Sequence, residues 1–388
     1  MNSDTYNILI IKGSSQYDVL RHVCDEITIG FRDHGCHVSE LDLTRFSYSN
    51  LSPNMLNGYD ILFSFDEIGA DIYNFVNYKP FFWTFLVDHP FYLHERLKLL
   101  SGNVMVSCVD RRHVDYIDKF YKNISYTCFM PHGGITGTVP SPIPFDDRKY
   151  NVSFLGSLGR LNDIKEVIHS LHEEYDNFID EIVESVMADM SIDLETVIYD
   201  TLTDFDISFD SQSFTELTFS FRAIDALRRF FKRSSMICSL VEAGLNIDIW
   251  GNGWEQLPDY NGRRDLLHIH GMADYLEAKS IMHDSRFVLC DMPLFHDGSH
   301  ERIFAAMQAH AIALTDKSLF LEEIFTDKEN IIFYDIDEIS TLASTLNKIT
   351  ENNSTANSII KNAHSIAKEH TWRHRTSEMV EIITNLTK

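Results

Sequence analysis

The chain has 388 residues, 58 acidic against 33 basic, a formal net charge of −25 and 44% hydrophobic residues. That length exceeds one ordinary core and predicts two domains. The charge argues against a general nucleic-acid binder, which presents a basic face, but leaves room for a local pocket that takes a small anion.

The N-terminal third alternates short apolar runs with helical patterns. Residues 7–11, 37–43, 60–65, 81–87, 103–109 and 125–130 read as strands. Helical spacing appears over 17–34, 70–77, 92–100 and 112–122. Alternation of this kind predicts a parallel sheet wrapped by helices. Pro131-His132-Gly133-Gly134, followed by Pro140, Pro142 and Pro144, breaks the pattern and reads as an interdomain linker. The expected boundaries are 1–145 for the first domain and 146–370 for the second. Residues 371–388 form a last helix that returns to the first domain.

A second α/β pattern starts at 150–155. It is interrupted by an acidic helical insertion over about 162–244, then resumes with strands at 247–250, 267–270, 287–290, 311–316 and 330–334. Helices follow Asp337. Within the insertion, Arg228-Arg229-Phe230-Phe231-Lys232-Arg233 is either a solvated helix face or a contact for a membrane or an acceptor phosphate.

The six cysteines form no CxxC pair, and several lie in apolar runs, so reduced thiols of a cytoplasmic protein are expected. No apolar run approaches the roughly 18 residues of a membrane span. Any membrane contact would be peripheral, on the inner face. The 18 histidines show no zinc-ligand spacing. Asp204-Phe205-Asp206 resembles a D-x-D metal pair but follows no buried strand, so no metal site is expected.

Candidate binding residues fall at the carboxyl ends of the expected strands, where open α/β sheets present ligands. Gly156-Ser157-Leu158-Gly159-Arg160 follows one strand, and Trp250-Gly251-Asn252-Gly253-Trp254 follows another. His270-Gly271 precedes a helix. Gly298-Ser299-His300-Glu301-Arg302 opens one, offering free N–H groups, the positive dipole end and an Arg for a phosphate. Each turn also has a plain structural reading as a tight turn or a cap. In the first domain Asp88 and His89 end an apolar strand before Pro90. They are candidates for a general base, or else an N-cap with Pro in the first turn. Asp110 to His113 and His132 occupy similar positions.

The second half, from about 150 to 388, resembles the glycosyltransferase group 1 family in its CgeB-like branch. The resemblance rests on Val152 to Ser157, Ile249 to Trp254, His268 to Gly271, Gly298 to Met307, Leu314 to Asp316 and His370 to Arg375, in that order. It implies an α/β protein of two Rossmann-like domains facing a cleft, the GT-B arrangement. It further implies a hexosyl or pentosyl transferase working in bacterial surface-glycan or protein glycosylation. The donor is a nucleotide-sugar, the acceptor a glycan, lipid-linked or protein hydroxyl, with no cofactor, no obligatory metal and no nucleic acid. Where the family often carries F-E-A-M-A-x-G, Ala305 replaces the Glu, Gln308 the Ala and His310 the Gly. That Glu commonly holds the donor ribose, so its absence also admits a non-catalytic sugar-nucleotide-binding protein of the same fold.

Overall fold

A computed structural model describes residues 5–15, 18–135, 141–257, 262–292, 294–336 and 338–386. Residue 17 of the first expected helix, Pro140 of the expected linker and Asp337 lie outside the described residues.

Two six-stranded parallel sheets carry the molecule. The first holds β1 (Asn7–Lys12), β2 (His37–Asp42), β3 (Ile61–Phe65), β4 (Phe81–Leu86), β5 (Val104–Cys108) and β6 (Tyr126–Phe129), in the order β2-β1-β3-β4-β5-β6. Helices α1 (Val19–Asp33), α2 (Ala70–Phe75), α3 (His94–Leu97) and α4 (Arg111–Phe120) connect its strands. The expected helix over 92–100 is shorter. Pro90 opens a 3-10 turn, Pro90–Leu93, before α3 begins.

The second sheet holds β7 (Tyr150–Leu155), β8 (Ile247–Trp250), β9 (Leu267–His270), β10 (Ser285–Cys290), β11 (Ile312–Asp316) and β12 (Ile332–Tyr334), in the order β12-β11-β10-β7-β8-β9. The segment between β7 and β8 is four helices: α5 (Leu161–Ala188), α6 (Leu194–Asp204), α7 (Ser211–Ser220) and α8 (Arg222–Glu242). Helices α9 (Tyr275–His283), α10 (Glu301–Gln308), α11 (Leu319–Ile324), α12 (Ile339–Thr350), α13 (Asn353–Ala367) and α14 (Trp372–Leu386) complete the chain.

Alternation along β1 divides the core. Ile8 and Ile10 face one layer with α1, while Leu9 and Ile11 face the other. That second layer is not closed by local helices alone. Ile179, Ile182, Val197, Ile198, Phe214 and Ile224 from the insertion complete it, so helices that leave the second domain in sequence cover the first. Helix α14 also returns to the first domain. Trp372, 1% exposed, packs edge-on to Phe65 and Phe85, and Arg373 Nε lies 2.9 Å from Glu26 Oε2 on α1. The two chain crossings are hydrogen-bonded together: Gly134 N donates to His370 O at 2.8 Å, and Trp372 N to Gly134 O at 3.0 Å.

The carboxyl ends of both sheets meet. After β5, Asp110 forms an antiparallel bridge with Gly298, which follows β10. This apposition of strand ends builds the interdomain cleft.

Candidate functional site

A cavity of about 410 Å³ lies where the sheets meet. Leu155, Trp250, Leu276 and Met282 give it an apolar wall. Gly156, Glu301 and Arg302 stand in its lining, and Ala305 lines it as well. The first domain contributes Val19 and Val23 of α1, and the linker contributes Gly133 to Ile135.

Beside this cavity four cations converge. Asp291, 2% exposed at the end of β10, accepts from Arg233 Nε at 2.6 Å and lies 3.8 Å from Arg302 Nη1. Burial alone would raise the Asp291 carboxyl, but Arg233, Arg302 and Lys232 hold it below the usual carboxylate range. Arg233 Nη1 also donates to Ser157 O at 2.6 Å. Lys232 pairs with Asp316 at the end of β11. Arg229 Nε lies 3.1 Å from the fully buried Asp225, and its Nη2 donates to Tyr92 Oη at 2.5 Å. Arg302 Nη1 is buried without a hydrogen-bond partner among the described residues. Three buried or half-buried acids, Asp225, Asp291 and Asp316, thus fix four cations. Such an arrangement favours a polyanion arriving from the cleft.

The basic run 228–233 is therefore not a solvated face. Helical spacing turns Arg229 and Arg233 to one side of α8, toward the strand ends. Arg228, 4% exposed, pairs with Asp225 and supports the helix. From sequence this cluster was legible only as a run of charge. Its fixed partners, Asp291 and Asp316, stand far off in the chain.

The expected glycine turns divide into two groups. Gly156, Glu301 and Arg302 face the cavity. Gly251 instead serves packing between loops: at φ 150°, its β-carbon position lies 2.3 Å from Gly156 O. Asn252 N donates to Ser157 Oγ at 3.1 Å, so this loop supports the β7 turn, and Gly253 sits against Gly159 O behind it. Trp254 is no ligand wall. It is fully buried and donates Nε1 to Gly156 O at 2.7 Å. His270 stacks on Trp250 at 4.3 Å and bonds Asp248, backing the cavity from outside. Gly271 is exposed beyond it, and Arg160 is exposed at the start of α5.

Gly298 is likewise absorbed by structure. A β-carbon there would lie 2.2 Å from Val109 O of the first domain. Asp297 N donates to Asp110 Oδ2 at 2.7 Å, and Arg111 Nη1 to Asp297 Oδ1 at 2.9 Å. Ser299 is fully buried, and its carbonyl accepts from His132 Nδ1 at 2.6 Å. The turn is a domain junction, and only its continuation faces the cleft. His300 caps α10, with Nδ1 3.2 Å from Arg302 N and 2.7 Å from Glu301 Oε2. Burial opposes ionisation of Glu301, but His300 holds its carboxyl below the usual range.

On the first domain, Asp88 and His89 part company. Solvent reaches Asp88. Protein nevertheless surrounds it on most sides, so burial raises its carboxyl above the ordinary range against the pull of Arg229 and His300. His89 is 3% exposed. Its Nδ1 accepts from Phe91 N at 3.2 Å, and its Nε2 lies 3.0 Å from Glu195 Oε1 on α6. Both nitrogens are engaged and the ring packs on Phe91 and His113, so His89 is a brace for the insertion rather than a base. Two acids after β3 escaped sequence reasoning, Asp66 beside the Asp88 turn and its neighbour Glu67. The polar pair after an apolar strand was the available signal.

Asp204 and Asp206 are exposed on the insertion. Among the described residues, no group of three or more His, Cys, Asp or Glu could hold a metal ion. No helix of the described residues is long and apolar enough to cross a membrane.

The fold is GT-B. HepE of Anabaena, solved with UDP and glucose, aligns over 98% of this chain and 100% of its own at 13% identity and TM-score 0.58. The T4 phage BGT in complex with its UDP-glucose substrate aligns over 98% of both chains at 14% identity and TM-score 0.57. Sucrose-phosphate synthase of Thermosynechococcus elongatus aligns over 98% and 99% at 11% identity and TM-score 0.55. Residues 228–381 match the model of a glycosyl transferase-like family, a segment running from the basic end of α8 into α14. No curated protein matches in sequence.

Proposed function

We propose that this chain is a glycosyltransferase that moves a sugar from a nucleoside-diphosphate sugar to an acceptor hydroxyl. The observation that carries the reading is the cluster of Arg229, Lys232, Arg233 and Arg302 beside the interdomain cavity. The nucleoside occupies the apolar wall near Trp250 and Leu276, and the diphosphate meets Arg302 and Arg233. The acceptor oxygen attacks the anomeric carbon, the carbon–oxygen bond to phosphate breaks, and the leaving diphosphate takes the electron pair. The cations neutralise that charge, and Asp88 receives the acceptor proton. The match to a glycosyl transferase-like family model and the UDP-sugar complexes of HepE and the phage enzyme support this reading.

Transfer needs no metal in this scheme, because protein cations occupy the place a divalent ion would take. A glycan, lipid-linked or protein acceptor would enter from the first domain, in a cytoplasmic setting and in surface-glycan or protein glycosylation. The CgeB-like branch is supported by motif order alone.

The test is a panel of nucleotide-sugars read by thermal shift, followed by turnover. A ligand at about 100 times its Kd stabilises by about 2.7 kcal/mol. A panel in which no nucleotide shifts the transition would overturn the reading. Binding without hydrolysis or transfer would leave a sugar-nucleotide-binding protein, the alternative prompted by Ala305.

A further inference from the structure

We propose that Asp66 is the positioning partner of Asp88. It keeps a proton at neutral pH and so leaves Asp88 as the charged carboxylate facing the acceptor. This assignment rests on Asp88 receiving the acceptor proton.

Strands β3 and β4 are parallel neighbours with Phe65 opposite Phe85, so the residues that follow them emerge side by side. Asp66 N donates to Phe85 O at 3.0 Å, and Asp66 Oδ1 accepts from Val87 N at 3.0 Å. The Asp66 carboxyl is thereby clamped to the turn that carries Asp88. The turn is strained. Asp66 and Glu67 hold φ of 47° and 56°, in the left-handed region that non-glycine residues seldom occupy. Glu67 is 1% exposed, and neither carboxylate oxygen has a hydrogen-bond partner among the described residues. Burial pushes its carboxyl well above the ordinary range, with Asp66 adding to the rise.

The charges facing the two acids are unequal. Asp88 faces Arg229 on α8, His300 at the cap of α10 and its neighbour His89, with Glu301 opposed. Asp66 faces the Asp88 charge and has one cation, Arg96 of α3, whose Nη1 donates to its carbonyl at 2.7 Å. Burial, and then Asp88, push the Asp66 carboxyl up to about 8. Of two neighbouring carboxyls, the one with fewer cations around it holds its proton to higher pH. Environments that separate two neighbouring carboxyls in this way assign one as acid and one as base.

The experiment compares Asp66→Ala, Asp66→Asn and Asp88→Asn in the full chain, measuring kcat against pH, donor affinity and the infrared bands of protonated carboxyls. Asp66→Ala should lower kcat at least tenfold with donor affinity unchanged. Asp66→Asn should restore most of that loss, since the amide donates and accepts as the protonated acid does. It should also abolish the step in the pH profile near pH 8 and remove one protonated-carboxyl band at neutral pH. Asp88→Asn should lower kcat by roughly 10²–10⁴-fold. A folded Asp66→Asn protein no better than Asp66→Ala, or one that keeps every protonated-carboxyl band, overturns the assignment while the proposed function stands. Full turnover in Asp88→Asn overturns the proposed base and this assignment with it.

Discussion

Arg233 on α8 and Asp291 at the end of β10 form an ion pair with Nε 2.6 Å from Oδ2 and the acid 2% exposed. The pair fastens the insertion to the second sheet's side of the cleft, and Arg302 approaches the same acid from α10.

The two arginines should therefore fail differently. Arg302→Ala should weaken UDP- or GDP-type ligands by about 1.5–3 kcal/mol while leaving the fold intact. Arg233→Ala strands a buried carboxylate and should cost about 3–5 kcal/mol of stability. Isothermal titration and urea unfolding separate the outcomes. Equal nucleotide affinity in folded Arg302→Ala would remove it from the diphosphate site.

His89→Ala should lose stability by roughly 2–4 kcal/mol, from the packed ring and from the stranded Glu195 carboxylate. Its kcat per folded molecule should change less than tenfold. A much larger loss of kcat in a folded protein would return His89 to the chemistry.

Gly298→Ala forces a β-carbon against Val109 O and should cost about 1–3 kcal/mol, as overpacking does. The domains should loosen at this junction. Hydrogen exchange at Asp110 and Arg111 should accelerate. An unchanged unfolding midpoint would contradict the close approach.

Acid should open the same junction. Burial lowers the His132 imidazole to about 4. A histidine whose folded value lies below its unfolded value near 6.5 adds stability that is complete above that pH and is lost as pH falls toward 4. His310 and His370 are lowered to about 4 as well and act in the same direction. His132→Asn, whose side-chain amide can still donate to Ser299 O, should flatten part of the slope of unfolding free energy against pH between about 6.5 and 4. An unaltered slope would remove His132 from the acid response.

Transfer should persist in excess EDTA. A preparation silenced by chelation and restored by one divalent ion would show that protein cations do not suffice.

The fold was readable because its central strands are short buried apolar runs. Tyr150–Leu155 and Ile247–Trp250 stand where hydrophobic clusters and flanking glycines put them. The site was harder to see. A glycine at a strand end serves a ligand or a neighbouring backbone, and local sequence does not say which. Gly156 faces the cavity, whereas Gly251 faces Gly156. Charge runs mislead in the same way: Arg233 belongs to Asp291, 58 positions onward, a pairing that exists only after β10 is laid beside β7.

The chain visits the first domain three times, with its leading third, with helices α5 to α8 and with α14. On the ribosome, the first sheet emerges with one face only partly covered by its own helices and stays so until about residue 227 has been made. Its α1 layer waits for residues 372–386. A stalled or truncated product ending before α14 would carry Phe65 and Phe85 without the indole that covers them. Such an intermediate is a natural client for chaperones, since the cleft is complete only once α14 has docked.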